Sequence, residues 1–388
     1  MITSESLDSS PSRTIGWAFF LGASWTWCIG MFFPVLLVRD FGLWGWIVFA
    51  FPNVMGSAVA GAVLGNSDRS KKLLGQHAPA AVVFSLVTIA FHVFFVGWKL
   101  LPLVGLIPAT GVFLLAGIFF AIGGGTRRDL VIAVLVILIS LVAMGFALTQ
   151  PLGAGTLLTH ADPAPGLLAL TPVCMVGFFL CPYLDLTYHR ARQATAPVAG
   201  ARAFQIGFAG PFLAMIVFTL LYAHWLDQRH DNPVLLWAVG IHMIVQIAFT
   251  LSLHVRGVLD VTALAFKRGR WLLLAAVLVP LALIFLVMQF PILRWQDSGE
   301  VVYLCFLACY GFLFPASVWL CMIPTADGPQ APDRGRLLRV LLVSAIAFPC
   351  YWMGFIERQV WWLIPGVLIL IASRRTLPRE KSRPGALT

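Results

Sequence analysis

An all-α polytopic membrane protein of about 12 transmembrane helices is the fold class this sequence predicts, and three observations predict it. Of 388 residues, 60% are apolar and only 11% are charged, about half the charged share of a soluble domain. The apolar load is bulky, with 30 Phe and 14 Trp, more than a soluble fold of this length can hide. The apolar runs are continuous rather than alternating, which favours helices over a lipid-facing barrel. Together these features exclude a soluble enzyme, a disordered chain and a coiled coil.

The elements follow in order. Residues 1–13 are Ser-rich and carry Glu5, Asp8 and Arg13. They lack the basic start of a signal peptide, so the first span is expected to stay in the protein and residues 1–13 to form a cytoplasmic tail. Five apolar runs lie at about 14–38, 43–65, 77–98, 101–124 and 129–150. Each is long enough to cross ~30 Å of hydrocarbon at ~1.5 Å per residue. The segment 151–165 has no basic residue and is expected outside. Seven further runs lie at about 166–186, 201–223, 233–254, 271–290, 299–323, 337–356 and 358–373, the last two parted only by Glu357 and Arg358. The tail 374–388 is basic, fitting a place beside anionic headgroups. No GxxxxGK[ST] loop exists, which excludes an ATP motor within this chain.

Basic residues test the span count. One set of alternate loops holds Arg13, Arg69, Lys71, Lys72, Arg127, Arg128, Arg190, Arg192 and Arg202, then Arg256, Lys267, Arg268, Arg270, Arg334, Arg336, Arg339 and the five of the C-terminal tail. That is 21 of the 26 Lys and Arg; Arg39, Lys99, Arg229, Arg294 and Arg358 face the other way. The positive-inside rule then places both termini in the cytoplasm of a cell membrane, the inner membrane in a two-membrane cell. The net charge of +10 has the same cause, and nucleic acid is not an expected partner. The seven cysteines all lie in apolar runs, so neither a disulfide framework nor a zinc site is expected.

The halves echo one another. Gly30-Met31-Phe32-Phe33-Pro34 in span 1 and Gly177-Phe178-Phe179-Leu180-Cys181-Pro182 in span 6 each place Gly, an aromatic pair and Pro inside an apolar run. Both residue types weaken a helix there. Two interrupted helices five spans apart point to a 5+5 inverted repeat. Repeat one is 14–150, repeat two is 166–323, and 337–373 holds two accessory spans. The segments expected to be unwound are near Gly30 and over 177–182.

Gly30-Met31-Phe32-Phe33-Pro34-Val35 and Phe51-Pro52-Asn53-Val54-Met55-Gly56 resemble the first two helices of sodium-coupled transporters of the amino acid–polyamine–organocation superfamily. Cys181-Pro182-Tyr183-Leu184-Asp185-Leu186-Thr187-Tyr188-His189-Arg190-Ala191 is similar to the end of the sixth core helix in the solute:sodium symporter branch. The extra leading helix of that branch is absent, and Asp185 is not followed by Pro. The resemblance implies the 5+5 fold with two accessory helices, and solute held at mid-bilayer between spans 1, 3, 6 and 8. It also implies a sodium ion between the broken first helix and hydroxyls of the eighth, for which Ser24, Thr250 and Ser252 are the matching residues.

Candidate solute contacts are Trp25, Cys28, Gly30, Phe178, Phe179 and Cys181 around the interruptions, with His242 and Gln246 sharing a face of span 8. Asp185, the one acidic residue well inside a span, is expected with Tyr183 to serve as a gate or coupling group. Its alternative role is a helix cap or a partner for Arg190 or Arg192. Trp27, Trp44 and Trp46 read as interfacial anchors. His92 reads as a hydrogen-bonded packing group. The triplet Gly123–Gly125 ends span 4. The function expected is an ion-coupled secondary transporter of a small neutral or amphiphilic solute, not an enzyme, needing no cofactor beyond Na⁺ or H⁺. Two alternatives stay open: a non-transporting sensor or assembly protein that keeps the fold, and a lipid-modifying enzyme using the Asp185–His189 pair.

Overall fold

The computed structural model describes residues 10–151, 165–228, 231–265, 269–289, 298–323 and 334–376. The expected N-terminal tail, the outside loop and the basic C-terminal tail lie almost wholly outside these residues. Eight helices among the described residues are long and apolar enough to cross a membrane, and two shorter apolar helices, Leu106–Ile122 and Arg270–Leu286, join them. Large apolar side chains such as Leu114, Leu135, Val142, Leu341 and Ile346 are exposed. In a bilayer that is the surface lipid covers.

Helix α1 (Pro11–Trp25) starts with Pro at its first position, where the missing N–H costs nothing. Helix α2 (Cys28–Val63) bends at Gly42, whose φ of 62° lies in the left-handed region. This bend separates the two apolar runs expected at 14–38 and 43–65. Helix α3 (Ser67–Phe95) is capped by Asn66, whose Oδ1 accepts from Arg69 N–H at 2.9 Å. It kinks at His77, just ahead of Pro79, whose ring disturbs the preceding turn. The apolar run expected from residue 77 begins at this kink.

Helices α4 (Leu106–Ile122) and α5 (Thr126–Leu148) are joined by the glycine triplet. Gly124 there has φ 90° and donates its N–H to Asp129. Helix α6 (Leu167–Leu180) passes through a 3₁₀ turn, Cys181–Leu184, and breaks at Asp185 before α7 (Leu186–Ala194). Helix α8 (Pro197–Gly207) runs on through a π turn into α9 (Leu213–Gln228). Then come α10 (Pro233–Ala265), α11 (Gly269–Gln289) and α12 (Ser298–Ala308), which continues through π turns to Met322. Helix α13 (Arg334–Tyr351), with the π turn Trp352–Ile356, and α14 (Leu363–Ala372) close the chain.

Close backbone approach fixes where the central helices cross. A Cβ on Gly207 of α8 would lie 2.6 Å from the Ala18 carbonyl oxygen of α1. One on Gly56 of α2 would lie 2.5 Å from the Phe178 carbonyl oxygen of α6. Glycines let α1 pack on α8 and α2 on α6 at backbone distance.

Candidate functional site

Both helices expected to be interrupted are interrupted. Span 6 breaks over 181–185, overlapping the expected stretch. Span 1 breaks at Thr26–Trp27, where Trp27 is extended with ψ 174°, and not at Gly30, which lies inside α2. Side chains move the break. Trp27 Nε1 donates to the Ser24 carbonyl, Thr26 Oγ1 to the Gly22 carbonyl at 2.8 Å, and Trp25 Nε1 to Asn53 Oδ1 at 2.8 Å. The N–H of Cys28, orphaned at the start of α2, donates to His92 Nε2 at 3.3 Å. Tyr303 Oη donates to the Cys28 carbonyl at 3.2 Å. The break is thus closed by hydrogen bonds wholly inside the protein, as a low-dielectric interior demands.

The two breaks meet. Thr187 Oγ1, in α7's first turn, lies 3.2 Å from Ser24 Oγ, and the ring centroids of Trp25 and Tyr188 are 4.9 Å apart. Beside this junction lies a cavity of ≈ 40 Å³, room for one or two waters. Its walls come from span 1 (Trp25, Trp27, Ile29, Gly30, Phe33), from Asn53, from α6 (Val173, Cys174, Gly177, Phe178, Cys181), and from Leu307, Tyr310, Gly311 and Phe355. No lining residue is a carboxylate or a basic group. Phe33 and Phe355 also line a second cavity of ≈ 290 Å³ that holds Arg39, Asp40, Glu300 and Arg358. These two rings are all that the cavities share. In that second cavity, Arg39 binds Asp40 at 2.8 Å and Glu300 at 2.9 Å, and Arg358 binds Glu300 at 3.0 Å.

Of the residues singled out from sequence, the cavity collects Trp25, Gly30, Phe178 and Cys181, with Cys28 in the break beside it. Phe179 touches the crossing at Gly56. His242 packs on Phe218, ring centroids 4.9 Å apart, and Gln246 Nε2 donates to Ser140 on α5 at 3.1 Å; neither lines the cavity. Ser24 and Ser252 give their hydroxyls to their own helices, at Leu21 and Phe249. Thr250 is fully buried and its hydroxyl has no partner among the described residues. Tyr183 offers its carbonyl to His189 Nε2 at 2.9 Å.

Asp185 caps α7. Its Oδ1 accepts from Thr187 N–H at 2.6 Å and Thr187 Oγ1 at 2.7 Å, while Oδ2 is buried without a partner. Arg190 instead pairs with Asp129, and Arg192 binds the Gly65 and Pro197 carbonyls. His189 lies in α7, beyond the span, and bonds Ser70 Oγ at 2.8 Å and the Tyr183 carbonyl through its two nitrogens. Burial pushes its imidazole below the ordinary value. Both ring nitrogens are thereby committed, and the histidine does not form the acid–base pair with Asp185 that an enzyme reading needs.

Trp27, Asn53, Cys174, Tyr310 and Phe355 are site residues that the sequence did not mark as such. Trp27 is 3% exposed and lies in the core, a correction to its reading as an anchor. Its neighbours at the break, rather than its type, decide that. Tyr310 sits in a π turn, Cys309–Leu313, a local irregularity common at functional sites but without a sequence signature of its own.

No family model matches this chain, and no curated protein matches it. Among solved structures, two mutants of the Eremococcus coleocola manganese transporter are similar to it, with TM-scores of 0.42 and 0.41. Each is 14% identical, and each comparison covers 94% of this chain and 92% of that chain.

Proposed function

We propose that this protein is a secondary transporter working by alternating access, with both termini in the cytoplasm and its solute bound where the breaks of spans 1 and 6 adjoin. The observation that carries the reading is the junction itself. Two apolar helices, each broken, touch through Ser24–Thr187 and Trp25–Tyr188 at the wall of a cavity. Irregular backbone at membrane depth is tolerated where protein or a cavity surrounds it, and transporters place substrate there. In this reading spans 1–5 and 6–10 form the inverted repeats and the last two helices are accessory.

The solute is small and carries no net charge that the protein must balance, because the lining is aromatic, aliphatic and thiol, with the Asn53 amide as its polar anchor. The ≈ 40 Å³ volume must widen to admit a solute larger than a few waters. Coupling is to protons, through Asp185. The carbonyls of Gly22, Ala23, Ser24 and Trp25 already accept protein hydrogen bonds, and Ser252 is turned to its own helix. A sodium ion between Ser24, Thr250 and Ser252 would have to displace these donors. Among the described residues Asp185 makes no ion pair, and its 0% exposed carboxylate has one oxygen without a partner, which in this reading is where the coupling proton is taken up.

Proteoliposomes loaded with buffer and offered a mixture of small polar metabolites test this. An imposed pH gradient should drive accumulation of some component, a sodium gradient should not, and Asp185→Asn should abolish the pH dependence. Accumulation driven by sodium and lost in Thr250→Ala would overturn the coupling. No gradient-dependent accumulation of any component would overturn the transport reading.

A further inference from the structure

We propose that the connector between the last two helices, residues 357–359, is a latch on the Arg39 vestibule, and that Arg358 holds Phe355 closed over the central cavity. The proposal rests on the transporter reading for its purpose, but its geometry is independent of it. Arg358 is the one non-glycine among the described residues with positive φ, 56°. A side-chain-bearing residue takes that conformation when its surroundings require it, and here the requirement is visible. Arg358 Nη2 reaches Glu300 Oε1 at 3.0 Å and Nη1 lies 3.8 Å from Asp40 Oδ1. One guanidinium therefore ties the accessory helices to both α2 and α12.

The connector is also tied to the ring it would control. Glu357 N–H donates to the Trp352 carbonyl at 3.2 Å and Gln359 N–H to the Met353 carbonyl at 2.9 Å. Both acceptors belong to the π turn that carries Phe355. Gly354 in that turn packs so tightly that a Cβ there would lie 2.3 Å from Leu363 Cδ2. Arg358, Phe355 and Leu363 are therefore tied together, and losing the ion pair frees that piece to shift Phe355, one of the two rings that line both cavities. The Arg358 side chain is 50% exposed, so water competes for it and the pair is weak enough to open. The helices outside the two repeats thereby set how often the cavity meets the vestibule.

A protein keeping Cys174 as its sole cysteine provides the readout, since Cys174 lines the central cavity and is buried. Its labelling by a bulky, charged methanethiosulfonate is timed in detergent micelles. Arg358→Ala and Arg358→Gly should each label about five-fold faster, the scale of one partly exposed ion pair. Arg358→Lys should stay near the parent rate. Arg358→Gly also removes the backbone strain, so a purely structural role would leave its labelling unchanged and its melting temperature raised. Unchanged labelling in folded Arg358→Ala and Arg358→Gly overturns the latch. If neither folds, Glu300→Gln is the variant read, and unchanged labelling there overturns it equally. Faster labelling in a protein that transports nothing would keep the latch and sink the transporter reading. Transport with unchanged labelling would do the reverse.

Discussion

Trp27 turns an apolar stretch into a break. Its indole reaches back to the Ser24 carbonyl, and His92 takes the N–H that the next helix leaves orphaned. Replacing His92 by Ala leaves that buried N–H without an acceptor, at a cost of about 1–3 kcal/mol. Thermal unfolding of purified His92→Ala should register this, and an unchanged midpoint would mean that the bond holds nothing. His92 was legible as a hydrogen-bonded packing group, because an isolated histidine in an apolar run needs a partner. Trp27 was not, because burial of an indole depends on Phe84, His254 and Tyr310 around it, which come from distant runs. His189 carries a pH prediction. Its imidazole is held below the ordinary value by burial, so the folded state favours the neutral ring. Its contribution is intact above about pH 6.5 and declines as pH falls below it, when the unfolded chain takes a proton that the folded one refuses. His189→Gln should melt with less acid sensitivity between pH 6.5 and 5 than the parent; equal slopes would contradict this.

At the scale of elements, the interruptions were readable from Gly and Pro, and their exact places were not. Pro182 marks the broken end of span 6, because a missing N–H in a 3₁₀ turn is a local effect. Pro34 marks no break, since α2 continues through it, while the hydrogen bonds of Thr26 and Trp27 open the helix about two turns earlier. The role of Gly56 became plain only in the crossing of α2 with α6. A side chain there would meet the Phe178 carbonyl, so Gly56→Val should cost about 1–3 kcal/mol by forcing the helices apart. Gly117→Val is the comparison, since a Cβ at Gly117 meets nothing within 4 Å. Equal stability of the two variants would show that the crossing tolerates separation.

The whole molecule was the most legible scale, because hydropathy reports the bilayer directly. Eight helices among the described residues are long and apolar enough to span, and the bends at Gly42 and His77 fall where runs begin. Orientation rests on the basic split and is open to labelling. With native cysteines removed, Thr156→Cys should react with an impermeant reagent on intact cells and Lys72→Cys should not; the reverse would invert the topology. Lys72 is exposed, so a cysteine there is open to the reagent wherever the reagent can reach that face. The central claim, alternating access to the cavity between the two breaks, is tested most directly by Cys174 as the sole cysteine in sealed vesicles of both orientations. The account predicts labelling from either face, with Arg358→Ala raising the rate from the Arg39 face and lowering it from the opposite face. A thiol that reacts from one face only, or whose two rates rise together, would contradict it.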